Sequence, residues 1–115
     1  MELNGFLYKA QPAGAGRVEL ELIGDCPVFK GHFPDFPVLP GAAVLEIVRE
    51  LVSEYLGRNV RFTYLKSVKF MKMIRPSDRP SVEMCLDPLG SSLRVSLFVG
   101  EDEYVRINAV YEDAF

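Results

Sequence analysis

The pattern of apolar and polar residues predicts one long helix in the first half of the chain. Residues 42–56 contain no Gly or Pro and are apolar around most of a helical circumference. Gly57 follows, at the position where glycine commonly ends a helix. A helix with so little polar surface is expected to be buried under a sheet.

The rest of the chain has the pattern of β-strands. Val18, Leu20 and Leu22 alternate with glutamates, which is typical of a half-buried strand. One helix with several antiparallel strands predicts an α+β fold, and the absence of a repeat or linker predicts a single domain over residues 1–115. Further strands are expected at about 59–74, 82–86, 93–99 and 104–111.

A proline-rich loop precedes the helix and contains the only histidine of the chain. Pro34, Pro37 and Pro40 each fix φ, so residues 31–40 are expected to form a stiff, irregular loop that holds His32 in place. Gly41 then opens the helix. Because Gly41 has no side chain, a ligand can approach the free N–H groups of the first turn, where the helix dipole would stabilise an oxyanion.

The run from Gly31 to Glu46 resembles the signature of the hot-dog-fold 3-hydroxyacyl-(acyl carrier protein) dehydratases. That signature reads Gly-His-Phe-Pro-x-x-Pro-Val-x-Pro-Gly and leads into a central helix with a second catalytic residue. The spacing of fourteen residues from His32 to Glu46 also matches. The resemblance implies a hot-dog fold, in which a curled antiparallel sheet wraps the long helix. It also implies conversion of a 3-hydroxyacyl thioester to the trans-2-enoyl thioester.

The resemblance gives each residue of this run a role. His32 would be the base that removes a proton from C2, and Glu46 would be the acid that protonates the leaving hydroxyl. An ordinary histidine pKa of about 6.5 suits the base, and apolar neighbours on the helix would favour the protonated form of Glu46 by desolvation. The Gly41 amide would bind the thioester carbonyl. Residues expected to line the substrate tunnel are Phe33, Val38 and Pro40.

Simpler interpretations of the same two residues remain open. Glu46 belongs to a polar stripe at helical spacing, so it could face water and pair with Arg49. A single histidine beside an aromatic residue is also often structural. In the resembled family the histidine of one subunit faces the acid of the other, which implies a homodimer or a higher homo-oligomer.

A second region of likeness runs from Val68 to Asp78 and is similar to the strand and turn that follow the helix in the family. Lys72 stands for one of two basic residues there, and a methionine replaces the other. Ser77 occupies a usual glycine position, and on the helix Glu50 stands where many members have glutamine. These departures keep a non-catalytic acyl-thioester binding subunit open as an alternative, together with a hot-dog thioesterase that uses Glu46 to activate water.

The distribution of charge suggests an acidic partner. The chain has a net charge of −3, yet residues 58–79 contain seven basic residues and one acidic residue. Such a basic surface suits an acyl carrier protein, which is acidic, and Lys69, Lys72 and Arg75 are the predicted docking residues. The alternative is that these charges only keep a strand edge soluble. An acidic chain makes nucleic acid an unattractive partner.

The composition argues against several other classes of site. Cys26 and Cys85 are isolated, so we expect no metal site and interpret both as core residues. Gly14 and Gly16 lie in a turn pattern rather than a phosphate-binding loop, so we expect no cofactor beyond the phosphopantetheine arm that carries the substrate. The sequence shows no membrane span or signal peptide, which predicts a cytoplasmic protein without membrane insertion.

Overall fold

The computed structural model describes residues 3–30, 37–87 and 90–114. These parts of the chain form two helices and six antiparallel strands. The helices are α1 (Pro27–Lys30) and α2 (Gly41–Leu56). The strands are β1 (Tyr8–Gly14), β2 (Arg17–Leu22), β3 (Val60–Phe70), β4 (Ser81–Leu86), β5 (Ser92–Val99) and β6 (Asp102–Asp113).

All six strands belong to one sheet, in the order β1-β2-β4-β5-β6-β3. The strands β4, β5 and β6 form the predicted meander. The last of these strands, β6, also pairs with β3. This last ladder runs from Val60 opposite Asp113 to Phe70 opposite Val105. The α+β class predicted from the sequence is confirmed, and β3 forms one edge of the sheet.

The predicted long helix is confirmed almost to the residue. Helix α2 ends at Leu56, and Gly57 adopts the left-handed conformation with φ 71°. The N–H groups of Gly57 and Arg58 then bond to the carbonyls of Glu54 and Ser53, which satisfies the end of the helix. One face of α2 is buried against the sheet, and its residues are Val44, Ile47, Val48, Leu51 and Val52.

Strand β3 is shorter than the sequence suggested. It ends at Phe70 rather than near residue 74, because the N–H groups of Met71 and Lys72 both reach the carbonyl of Tyr104. Beyond that point the chain leaves the sheet. The carbonyl of Ile74 accepts a hydrogen bond of 2.7 Å from the N–H of Leu39, so this segment pairs with the residues just before α2.

The two cysteines do not share one environment. Cys26 is buried beside α1, as expected. The expectation for Cys85 is wrong, because Cys85 is exposed. Strand β4 places Val82 and Met84 in the core, and successive side chains of a strand point to opposite faces. Strand β1 and the short helix α1 were not predicted at all.

The carboxylate of Glu50 holds the N-terminal segment against α2. It accepts hydrogen bonds from the N–H groups of Leu3 at 2.8 Å and Asn4 at 3.0 Å, and from the hydroxyl of Tyr8 at 3.0 Å. Tyr8 has no exposed surface. Burial, together with the negative charge of Glu50, raises the pKa of Tyr8 far above its ordinary value.

This environment predicts a loss of stability in alkali. The pKa of Tyr8 in the folded protein lies above its value of about 10 in the unfolded chain. The contribution of Tyr8 to the free energy of unfolding is therefore fully present below pH 10 and is lost as the pH rises further. We expect the urea concentration at the midpoint of unfolding to decrease as the pH is raised from about 10 to about 11. The variant Tyr8→Phe should lose about 1–2 kcal/mol at neutral pH but show a smaller alkaline fall. Equal alkaline slopes for both proteins would contradict this assignment.

Candidate active site

A cleft opens at the N-terminal end of α2 and has a volume of about 390 Å³. Three of the residues predicted to bind substrate, Val38, Pro40 and Gly41, line it. Its other walls come from the segment after β3 and from the core. The remaining lining residues are Leu39, Val44, Phe70, Met71, Lys72, Met73, Ile74 and Val105.

The start of α2 supplies hydrogen-bond donors at this cleft. Pro40 is the N-cap residue, in extended conformation, and its carbonyl accepts the N–H of Val44 at 3.0 Å. No side chain of the described residues caps this helix end. The first N–H groups of a helix have no partner within the helix, and Gly41 and its two successors carry them here. An anionic or polarised oxygen in the cleft would be stabilised by these donors.

Phe70 packs closely over Gly41. A Cβ atom added to Gly41 would lie 3.1 Å from Cζ of Phe70, which is tighter than ordinary contact. The absence of a side chain at residue 41 therefore leaves room for the Phe70 ring beside the first turn of α2. Phe70 was not predicted as a site residue, although it lies in the second region of likeness, Val68 to Asp78.

Glu46 lies on a half-buried polar stripe of α2 and is paired with Arg49. The guanidinium Nε donates to both carboxylate oxygens, at 2.9 Å and 3.0 Å, and a terminal nitrogen donates to Oε1 at 2.5 Å. The side chains retain 35% exposure for Glu46 and 23% for Arg49. The pairing that the sequence left open as an alternative is thus present, and the acid role of Glu46 stays a prediction.

The other end of the Arg49 guanidinium reaches the start of β3. Its second terminal nitrogen donates to the carbonyl of Val60 at 3.1 Å and to the side-chain oxygen of Asn59 at 3.3 Å. Hydrogen bonding to Glu46 is the main reason why the pKa of Arg49 is raised. The negative charge of Glu50 on the same helix adds to this effect.

Within one chain the predicted residues are only partly brought together. Val38, Pro40 and Gly41 meet at the cleft, whereas Glu46 does not line it and lies on the side of α2 away from the buried face. His32 and Phe33 lie outside the described residues. Their predicted roles are therefore not tested by this geometry.

The three predicted docking residues are all exposed, and one of them, Lys72, lines the cleft. Lys72 lies 5.4 Å from the ring centre of Tyr104 and is 3.6 Å from the carboxylate of Asp102. The backbone N–H of Arg75 bonds to the Asp78 side chain at 2.8 Å and so fixes the following turn. Lys69 lies opposite Arg106 in the sheet, and Arg106 forms an ion pair with Glu103.

Neither a metal-ligand cluster nor a membrane-spanning helix is present in the part of the chain that the structure describes. No three side chains of His, Cys, Asp or Glu there are grouped so that they could hold a metal ion. None of the helices in these ranges is long and apolar enough to cross a membrane.

A central helix in a curled antiparallel sheet, with its N-terminus open to an apolar cleft, defines a hot-dog-fold protein, as the resemblance implied. The ApeI-like family, described as ApeI dehydratase, matches residues 9–106 of this chain. The chain therefore belongs to the ApeI-like dehydratase family.

Curated relatives are named as dehydratases. The chain is 31% identical over 74 residues to the 3-hydroxyacyl-(acyl-carrier-protein) dehydratase FabZ of Thermoanaerobacter sp. (strain X514), covering 58% of this chain and 52% of the relative. It is 35% identical over 75 residues to the FabZ of Latilactobacillus sakei subsp. sakei (strain 23K), covering 59% and 54%. The chain thus spans about half the length of the curated relatives it matches.

Solved structures share the fold. The Dehydratase Heterocomplex ApeI:P from Xenorhabdus doucetiae superposes with a TM-score of 0.74 at 19% identity, covering 90% of this chain and 93% of that chain. A HP0420 homologue from Helicobacter felis gives a TM-score of 0.72 at 9% identity, covering 99% and 93%. At such low identities these structures show a common fold.

Proposed function

We propose that this protein dehydrates a 3-hydroxyacyl thioester, carried by an acyl carrier protein, to the trans-2-enoyl thioester. The observation that carries the proposal is the match to the ApeI-like dehydratase family, which spans both His32 and Glu46. The curated FabZ relatives, whose name specifies a carrier-bound 3-hydroxyacyl substrate, support the same substrate class.

The proposed reaction uses the helix start and two proton-transfer groups. The thioester carbonyl accepts hydrogen bonds from N–H groups at Gly41, which stabilises negative charge on its oxygen and acidifies the C2 proton. His32 takes that proton. Glu46 gives a proton to the C3 hydroxyl, which leaves as water while the C2–C3 double bond forms. No change of oxidation state occurs, so the proposal includes no cofactor besides the arm that carries the substrate.

The cleft offers room for the acyl chain or its thioester arm. Its walls are mostly apolar, with Val38, Leu39 and Val105 among them, and such walls exclude water from a reacting thioester. Lys72 at the cleft, with Lys69 and Arg75 nearby in sequence, would attract an acidic carrier protein. We also retain the cytoplasm as the proposed location.

We further propose that the active sites are completed in a homodimer. Glu46 lies away from the cleft of its own chain, and in this proposal the acid of one copy meets the base of the other at each site. Strand β3 is an edge strand, and exposed apolar side chains lie on it and just after it. These side chains are Tyr64, Leu65, Phe70, Met71 and Met73. Unpaired edges of this kind favour pairing with another chain.

The Arg49 contact favours one second candidate, a hot-dog thioesterase. A carboxylate that accepts hydrogen bonds from a guanidinium is suited to act as a base toward water. Hydrolysis would then release a free acid. A non-catalytic acyl-thioester binding subunit would bind the same ligand and release neither product.

The first experiment measures both products at once. The purified protein is incubated with a 3-hydroxyacyl thioester on carrier protein, and the 2-enoyl thioester and the free acid are quantified by mass spectrometry. We expect the enoyl product from the wild type, with His32→Ala and Glu46→Gln each reducing kcat by about a hundredfold or more, since each removes a proton-transfer group. Unchanged thermal midpoints would show that both variants are folded.

The other outcomes distinguish the alternatives. Free acid as the main product would establish the thioesterase. Binding of the carrier-linked substrate without either product would establish a binding subunit.

Mixing the two inactive variants tests the shared site. In a dimer whose sites take His32 from one subunit and Glu46 from the other, a mixed dimer has one intact site and one doubly defective site. Co-expression of His32→Ala with Glu46→Gln should therefore restore about a quarter of wild-type turnover at random pairing. Failure to recover activity, with mixed dimers confirmed by native mass spectrometry, would contradict sharing. A protein that dimerises only with a different chain would indicate a heterocomplex.

Charge reversal tests carrier docking. We expect Lys69→Glu to raise KM for the carrier-linked substrate by about tenfold and to leave turnover of a carrier-free thioester analogue unchanged, because only the carrier meets this surface. Lys9→Glu is the matched control on the opposite edge strand. An equal effect of both substitutions, or no effect of Lys69→Glu, would reject docking at this surface.

A further inference from the structure

We propose that Arg49 is a positioning residue, which fixes the Glu46 carboxylate relative to the sheet by holding it and the backbone of β3 at the same time. The inference rests on the proposed function, since it assigns Glu46 to the chemistry. It adds a residue whose part in the reaction is indirect, because Arg49 contacts Glu46 rather than the cleft.

The guanidinium of Arg49 fixes the direction of the Glu46 carboxylate. Three nitrogen-to-oxygen contacts of 2.5–3.0 Å join the guanidinium edge to both carboxylate oxygens. A guanidinium is planar, so contacts to two oxygens define the plane and the direction of the carboxylate. A half-exposed glutamate without such a partner would sample several rotamers.

The opposite end of Arg49 is anchored to the backbone of β3. The carbonyl of Val60 accepts from Arg49, while the N–H of Val60 donates to Ser53 Oγ at 3.0 Å. Two side chains of α2, one helical turn apart, thus hold both backbone groups of one buried strand residue. Val60 is also in register with Asp113 of β6, so the anchor belongs to the sheet itself.

The ion pair of Arg49 and Glu46 is less exposed than an ordinary surface ion pair of this protein. Arg61 and Glu112 form an ion pair whose side chains are 65% and 47% exposed, against 23% and 35% for Arg49 and Glu46. Exposed ion pairs contribute little because water screens them and both side chains lose entropy. The Arg49 pair is more enclosed and has a backbone anchor that Arg61 lacks among its described contacts.

The chemistry gives this arrangement a use. Glu46 becomes a carboxylate when it gives its proton to the leaving hydroxyl. The guanidinium contacts define the position and the plane of the Glu46 carboxyl group, and a proton donor must be placed accurately to reach the C3 hydroxyl. Small displacements of a catalytic group, about 1 Å, can reduce turnover by about a hundredfold.

The experiment compares four variants of the full chain in the turnover assay. Arg49→Met should reduce kcat by about 10- to 100-fold and change KM by less than about twofold, because binding in the cleft does not involve Arg49. Arg49→Lys should recover part of kcat, since an ammonium can pair with Glu46 but cannot span both contacts. Ser53→Ala loosens the same strand without touching Glu46, and Arg61→Met removes a surface ion pair. Both controls should stay within about twofold of wild-type kcat.

A second measurement detects the contact between Arg49 and Glu46 independently of turnover. In ¹⁵N–¹H NMR spectra we expect a slowly exchanging Nε–H signal of Arg49 that Glu46→Gln shifts or abolishes. Wild-type kcat in Arg49→Met, with Glu46→Gln inactive, would overturn the inference and leave the proposed function standing. An equal loss in Ser53→Ala would also overturn it, since the effect would then be structural. Wild-type protein without turnover would overturn the proposed function, and an Arg49 signal unaffected by Glu46→Gln would overturn the pairing.

Discussion

The burial of one face of α2 against the sheet is the interaction on which the rest of the structure depends. Val48 and Val52 have no exposed surface, and they belong to one core cluster with β-strand residues such as Val95 and Ile107. Each such side chain contributes about 1.5–3 kcal/mol by leaving water. Because the sheet curls around this face, the helix start is fixed beside Leu39 and Ile74, and the cleft follows from that placement.

The opposite face of α2 is polar, and its charged groups connect the helix to the chain on either side. Glu50 binds the N-terminal segment through backbone N–H groups and the hydroxyl of Tyr8. Glu46, one turn earlier, binds Arg49, which in turn binds Val60. Two glutamates at adjacent turns thus have different surroundings. The Glu50 carboxylate accepts hydrogen bonds from the N-terminal segment and so has a structural role. The Glu46 carboxylate is held by one side chain, Arg49, which also contacts the sheet.

The described part of one chain separates Glu46 from the cleft at the start of its helix. Free N–H groups and an apolar cleft lie at the start of α2, and Glu46 lies around the helix from them. Strand β3, with exposed Tyr64 and Leu65, forms a sheet edge that no other strand of the described chain covers. A second subunit at that edge, as in the proposed homodimer, would bury this apolar surface.

The sequence by itself determined α2, its end at Gly57, the α+β class and the family, because helical periodicity, a glycine cap and a contiguous motif are local signals. Contacts between distant residues decided the rest. Strand β1 has a weak strand pattern that includes Pro12, and it forms because it pairs with β2. Strand β3 ends early because the residues beyond it form hydrogen bonds with the backbone of Tyr104 and Leu39 instead. The partners of Glu46 and Glu50 likewise depend on where β3 and the N-terminal segment pack, since a helical pattern shows which residues share a face but not what meets that face.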